Sequence, residues 1–275
     1  MRVVHPFPSL LVAGLTAAFA LLAGGDGALA LALAGTMLAL QFSIGAANDL
    51  LDERHDRVAK PAKPLPAGLI GRRAAQGIAV GGGIVGLAAA ALQGTAVLSV
   101  ALAGYALGLL YDLGLKRTPW GWLAFAFALP LVPAFAWLAA SGELPPRFGL
   151  LAGLGLLAGA ALAVANGLVD LPGDAASGSR GVAVSLGRRG GLALVVVAET
   201  AVAFVVAVTL LAPGEGTATI PTWLVGAAVL GGSTCCIAGW RLSADPAARR
   251  REAGWELQAV GLGLLALGWF AGQPG

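Results

Sequence analysis

Between Gly45 and Gly68 the chain reads GAANDLLDERHDRVAKPAKPLPAG, which sets three aspartates and an asparagine at the end of an otherwise apolar run. On a helix advancing about 100° per residue, Asp49, Asp52 and Asp56 lie within about 60° of one another, and Asn48 falls beside them. One stripe would therefore carry three carboxylates and a side-chain amide. An aspartate at the centre of a membrane helix costs about 2.5–3.5 kcal/mol, less toward the interface, and clustering like charges adds repulsion. A divalent cation offsets both costs. A second set lies in ANGLVDLPGDAASGSRGVAVSLG, where Asn166, Asp170 and Asp174 are spaced i, i+4 and i+8. Pro172 and Gly173 predict a kink or a helix end there, because proline removes a helical donor and crowds the preceding turn.

The elements that must position these residues are membrane helices. A chain of 275 residues that is 58% hydrophobic and 11% charged, with a mean hydropathy of +0.84, lacks the polar surface of a soluble globule. Apolar runs long enough to cross a bilayer recur at about 7–24, 28–48, 70–92, 95–111, 120–140, 148–170, 190–212, 221–240 and 255–271. The expectation is an all-α integral membrane protein, a nine-helix bundle around a central cavity, forming one domain over residues 1–275. Because Arg2 precedes the first run, that run also fits a cleaved signal peptide, which would leave eight spans. With nine spans, 16 of the 17 lysines and arginines fall on one face and Arg147 alone on the other. The positive-inside rule makes the rich face cytoplasmic, with the N-terminus inside, in a cell inner or plasma membrane. Both acidic sets then lie at the cytoplasmic side, able to converge across the cavity. The net charge of +3 reports this topology and does not point to nucleic acid.

Other signals are quiet. Cys235 and Cys236 are adjacent in an apolar span and pack as small apolar groups. Neither a phosphate-binding glycine loop nor a His/Cys metal spacing is present. The 42 glycines let helices approach closely in lipid. Asp26 and Asp245 read as solvated boundary residues, His55 as a solvent-facing one, and Trp120 with Trp122 as part of an interfacial belt. Pro130 and Pro133 would kink the fifth helix. Glu199, inside the seventh run, is an intramembrane ionisable group with no assigned task.

Magnesium prefers oxygen ligands and is typically held by one or two carboxylates together with phosphate oxygens. Lys60, Lys63, Lys116, Arg117 and Arg180 fall on the same face as the acids and suit phosphate oxygens. Long apolar helices around such a site would accept a greasy chain. The ligand suggested is an isoprenyl diphosphate.

NDLLDERHD and DLPGD resemble, in order, the N-D-x-x-D-x-x-x-D and D-x-x-x-D signatures of the UbiA superfamily of intramembrane prenyltransferases. KPAKPLPAG is similar to that family's basic, proline-rich continuation, YDLGLKR to its tyrosine-to-lysine segment, and GSRGVAVSLG to the tail of its second motif. The resemblance covers essentially the whole chain. It implies a cavity holding two Mg²⁺ ions and a prenyl diphosphate, with metal ligands drawn from Asn48, Asp49, Asp52, Asp56, Asp170 and Asp174. It also implies diphosphate contacts from Lys63, Lys116 and Arg117, and transfer of the prenyl group to an aromatic or lipid acceptor whose binding residues the motifs do not give. The chain departs from the pattern at Ala59, where many members have Asn, at Pro172 in place of Glu and at Ala175 in place of Arg.

Three rivals compete with that reading. A terpene cyclase of the same superfamily would ionise the same diphosphate without a separate acceptor. A CDP-alcohol phosphotransferase requires a D-G-x-x-A-R opening that is absent here, and a more compact bundle. A transporter with a carboxylate relay would place acids or broken helices at the midplane, whereas these acids cluster toward one face.

Overall fold

A computed structural model describes residues 6–144, 147–176, 178–211 and 220–273; Arg2 lies outside them, as does the side chain of Ala59. The described residues form helices and no strand. In order these are α1 (Pro6–Leu22), α2 (Gly27–Ala59), α3 (Arg72–Leu92), α4 (Thr95–Leu113), α5 (Trp122–Ala128) and α6 (Leu131–Ser141). They are followed by α7 (Phe148–Val169), α8 (Leu171–Ala176), α9 (Val182–Leu211), α10 (Thr222–Ser243) and α11 (Ala248–Ala271). Each of the nine apolar runs falls on helix. Among the described residues seven stretches are long and apolar enough to cross a membrane: α2, α3, α4, α5 with α6, α7, α9 and α10. The remaining two runs fall on α1, which is apolar but has 17 residues, and on α11, whose first half carries Arg249, Arg250, Arg251, Glu252, Glu256 and Gln258.

The helices group into two compact units, Met1–Lys116 with Pro130–Phe148, and Arg117–Leu129 with Gly149–Gly275. In the first, α2 packs against α1, α3 and α4, and α6 packs against α1 and α4. Asp26 is more than a boundary residue: it caps α2, its carboxylate accepting from the Leu29 N–H at 2.8 Å. The 33 residues of α2 rise about 50 Å, against a hydrocarbon core of about 30 Å. Its acidic C-terminal turns are therefore the part free to stand beyond the lipid tails. Near the middle of α2, Ser43 donates to the Ala79 carbonyl of α3 and shares a 2.8 Å hydrogen bond with Tyr105 of α4, which ties three helices together.

The second unit is built on the α10–α11 pair. Gly232 and Gly239 of α10 face Gly261 and Gly254 of α11, and a Cβ on any of the four would stand 2.7–2.8 Å from the opposing glycine's carbonyl oxygen. Seven residues separate the glycines on each helix, so the same face recurs every two turns and the backbones meet along it. Gln258 and Ser243 close the polar end of this seam with a 2.8 Å hydrogen bond. Proline sets the other breaks. Pro130 stands between α5 and α6, where its missing N–H interrupts the ladder. Pro172 lies in the first turn of α8, where no N–H is required. In α9, Gly187 takes a positive φ of 66° and breaks the helix after its first turn and a half.

Replacing Gly239 by leucine should therefore push α10 off α11. The expected cost is about 1–3 kcal/mol, seen as a lower apparent melting temperature in detergent. Gly153→Leu on α7, where an added Cβ would meet no atom within 4 Å, should leave that temperature unchanged or slightly raised.

Candidate active site

The acidic turns of α2 form one face, as their spacing predicts. Asp49 and Asp56 are buried, 1% and 3% exposed, and Asn48 and Asp52 are partly covered. Two lysines from other parts of the first unit reach this face. Lys63 sits in the turn-rich segment after α2, where the N–H groups of Lys63, Ala67, Leu69 and Ile70 bond back to the carbonyls of Lys60, Lys63 and Pro64. Leu65, 5% exposed, anchors that segment. So folded, it aims the Lys63 ammonium at α2, where it donates to Asp49 Oδ1 at 2.9 Å and Asp56 Oδ2 at 2.7 Å. Those aspartates are seven residues apart, about 10 Å along the axis, and both side chains lean toward the one cation.

Lys116 arrives from the 3-10 turn Leu115–Arg117 that follows α4. Its ammonium donates to Asn48 Oδ1 and to Asp52 Oδ2, each at 2.5 Å. Asp112, one turn earlier and 7% exposed, places Oδ1 3.6 Å from the same nitrogen. Burial opposes the charge on Lys63, yet the hydrogen bonds to Asp56 and Asp49 and their negative field outweigh it, so its pKa lies above the ordinary lysine value. A raised lysine pKa means that this contact contributes stability at all pH values below the ordinary lysine range and is lost only in strong alkali.

The structure thus brings together Asn48, Asp49, Asp52, Asp56, Lys63 and Lys116. Sequence reasoning missed two neighbours. Asp112 lies inside YDLGLKR, four residues before Lys116, and that i, i+4 spacing was the available signal. Glu53, inside the first motif, accepts from Arg57 at 2.7 Å and from Arg72 at the start of α3, which pins the end of α2 to the next helix. Lys60 is exposed and ends α2, its N–H bonding to the Asp56 carbonyl, and His55 is exposed as expected.

In the second unit α7 stops at Val169, as Pro172 and Gly173 predict. Asp170 and Asp174, both partly exposed, bracket the turn that follows, with the Asp174 N–H bonded to the Asp170 carbonyl at 3.0 Å. Arg117 is exposed, and its carbonyl accepts from the Arg180 N–H at 3.1 Å. The end of α7 is held by Arg251, read from sequence only as a topological charge. It is 4% exposed, donates from Nε and Nη2 to the Val169 carbonyl at 3.0 and 2.8 Å, and from Nη1 to the Pro246 carbonyl at 2.5 Å. A cation there satisfies a carbonyl that the helix leaves unbonded and meets the negative end of its dipole. Glu199, 1% exposed, accepts from the Trp240 indole at 2.6 Å and so links α9 to α10; its Oε1 has no hydrogen-bond partner among the described residues.

Among the described residues no three acidic, histidine or cysteine side chains converge closely enough to hold a metal ion unaided. Magnesium does not require that, since one or two carboxylates with phosphate oxygens suffice. The pairs Asp49/Asp56 and Asn48/Asp52 each already close on a single positive centre. The donor set fits the ion.

A helical membrane protein whose longest helix ends in carboxylates answered by lysines has the makings of an intramembrane enzyme acting on a polyanionic head. Residues 9–258 match the UbiA prenyltransferase family, and the chain belongs to it; it is a prenyltransferase. The digeranylgeranylglyceryl phosphate synthase of Methanoculleus marisnigri is 33% identical over 192 residues, covering 69% of this chain and 68% of that protein. A UbiA homologue from Aeropyrum pernix superposes with a TM-score of 0.74 at 22% identity over 98% of each chain. A homologue from Archaeoglobus fulgidus, bound to GPP and Mg²⁺, gives 0.72 at 17% identity over 98% of each.

Arg251→Met should leave the Val169 carbonyl unsatisfied and cost about 1–3 kcal/mol. Arg251→Lys should recover only part of that, because an ammonium lacks the guanidinium's fork. Thermal denaturation of the two variants in detergent checks both.

Proposed function

We propose that this chain transfers an isoprenyl group from a prenyl diphosphate to a hydroxyl of a glyceryl phosphate lipid, in a Mg²⁺-dependent reaction that releases diphosphate. The observation that carries the reading is the acidic face of α2 with Lys63 and Lys116 at hydrogen-bond distance. The lipid acceptor rests on the relative in Methanoculleus marisnigri, whose product carries two prenyl groups on glyceryl phosphate.

Asn48, Asp49, Asp52 and Asp56, and in the second motif Asp170 and Asp174, would hold the metal. Bound Mg²⁺ would supply positive charge where negative charge grows on the departing diphosphate. Lys63, Lys116 and Arg117 meet the diphosphate oxygens directly as the allylic C–O bond breaks. Apolar helices keep water from capturing the carbocation as prenyl alcohol. The acceptor oxygen then bonds to the allylic carbon and its proton is released. By the charge distribution both motifs lie on the cytoplasmic face of the cell membrane.

The test is incubation of the purified protein with labelled prenyl diphosphates of several lengths, with a prenylglyceryl phosphate or an aromatic acceptor, and with or without chelator. Diphosphate release and a diprenylated lipid are expected, both abolished by chelator. Asp49→Ala and Asp170→Ala should each lower the rate at least about a hundredfold, the scale of losing a charge-stabilising group. Undiminished turnover in either would refute the site. A cyclic product without acceptor would make the protein a terpene cyclase.

A further inference from the structure

In this structure each oxygen-bearing residue of the first motif is engaged by an ammonium group: Asp49 and Asp56 by Lys63, Asn48 and Asp52 by Lys116. A divalent ion arriving alone would have to share those oxygens with a neighbouring cation or drive it away. Sharing is opposed by charge repulsion. Driving the lysine off costs it its partners, and the side chains of Lys63 and Lys116 are only 18% and 15% exposed, so those contacts are worth more than a surface ion pair. A diphosphate changes the balance, because it supplies new anionic oxygens to both ammonium groups as it brings the metal.

The attachment of the two lysines fits such an exchange. Neither belongs to α2: one is carried by the segment after it and the other by the turn after α4, each on a flexible four-carbon stem. Either head can leave without moving the acidic helix. Asp112 gives Lys116 a carboxylate within its own turn, so the group remains close when it gives up Asn48 and Asp52.

We infer that Lys63 and Lys116 are exchangeable counter-ions of the acidic face, which hold it against free divalent metal and yield it when a diphosphate takes both ammonium groups. The inference rests on the reading of this face as a Mg²⁺ and diphosphate site. Free metal then binds weakly, metal and diphosphate bind with positive coupling, and the coupling is reciprocal.

Equilibrium dialysis of the full-length protein in detergent against Mn²⁺, with and without inorganic diphosphate, reads this without turnover. In the unmodified protein diphosphate should tighten Mn²⁺ retention about tenfold or more, about 1.4 kcal/mol. Lys63→Gln and Lys116→Gln should each bind Mn²⁺ alone about tenfold more tightly than the unmodified protein and show a smaller gain from diphosphate. Lys63→Arg, which keeps the charge, should bind Mn²⁺ alone as weakly as the unmodified protein. The inference is overturned if diphosphate gives the unmodified protein no gain, a result independent of whether the variants fold, or if folded glutamine variants bind Mn²⁺ alone no better. Absence of Mn²⁺ retention by the unmodified protein both with and without diphosphate would instead overturn the Mg²⁺ reading itself.

Discussion

Carboxylates crowded onto one face of α2 repel one another at the margin of a low-dielectric phase, and the surrounding structure is arranged to contain that repulsion. Lys63 closes on Asp49 and Asp56, Lys116 on Asn48 and Asp52, and Arg57 with Arg72 on Glu53. The folded-back segment after α2 and the 3-10 turn after α4 are necessary because a cation on α2 itself reaches only neighbours a turn away, as Arg57 does. Bringing positive charge to Asp49 and Asp56 at once requires chain that has left the helix and returned.

That constraint explains why the helix is so long. A span that ended at the hydrocarbon boundary would leave the acids either in lipid or on a frayed end. Extending α2 well beyond the required length keeps them on a rigid, continuous face, capped at its far end by Asp26 and clamped near its middle through Ser43. The apolar remainder of the same helix packs against its neighbours, so the charged end inherits its orientation from the packed end. In the second unit the order is reversed: glycine-lined contact between α10 and α11 brings Arg251 to the end of α7 from 82 residues away.

Much of this could be read from the sequence, because periodicity and proline act locally. The spacing of Asn48, Asp49, Asp52 and Asp56 put them on one helical stripe, Pro172 and Gly173 marked the end of α7, and Pro130 marked the break between α5 and α6. What could not be read was the choice of partner across the fold. Arg251 looked like one more basic residue on the charged face, although its guanidinium is buried against backbone carbonyls. Asp112 stood inside a recognised segment without a role, since only the approach of α4 to α2 places Lys116 beside both Asp112 and Asp52. Hydropathy likewise located α1 and α11 without revealing how far they differ from the other helices, one by its shortness and one by its polar first half.

The two kinds of cation show what each job requires. Arg251 completes a helix end, a task that never changes, and its planar fork bonds neutral carbonyls that move only if the fold does. Lys63 and Lys116 face carboxylates that a ligand must be able to claim, and a lysine head on a long stem can change partners within a few ångströms while its backbone stays in place. An arginine engaged bidentately at either position would hold the acids more firmly and give them up less readily. Lysine is thus the better residue where the same negative charge must be neutralised in the resting protein and released to another cation in the working one.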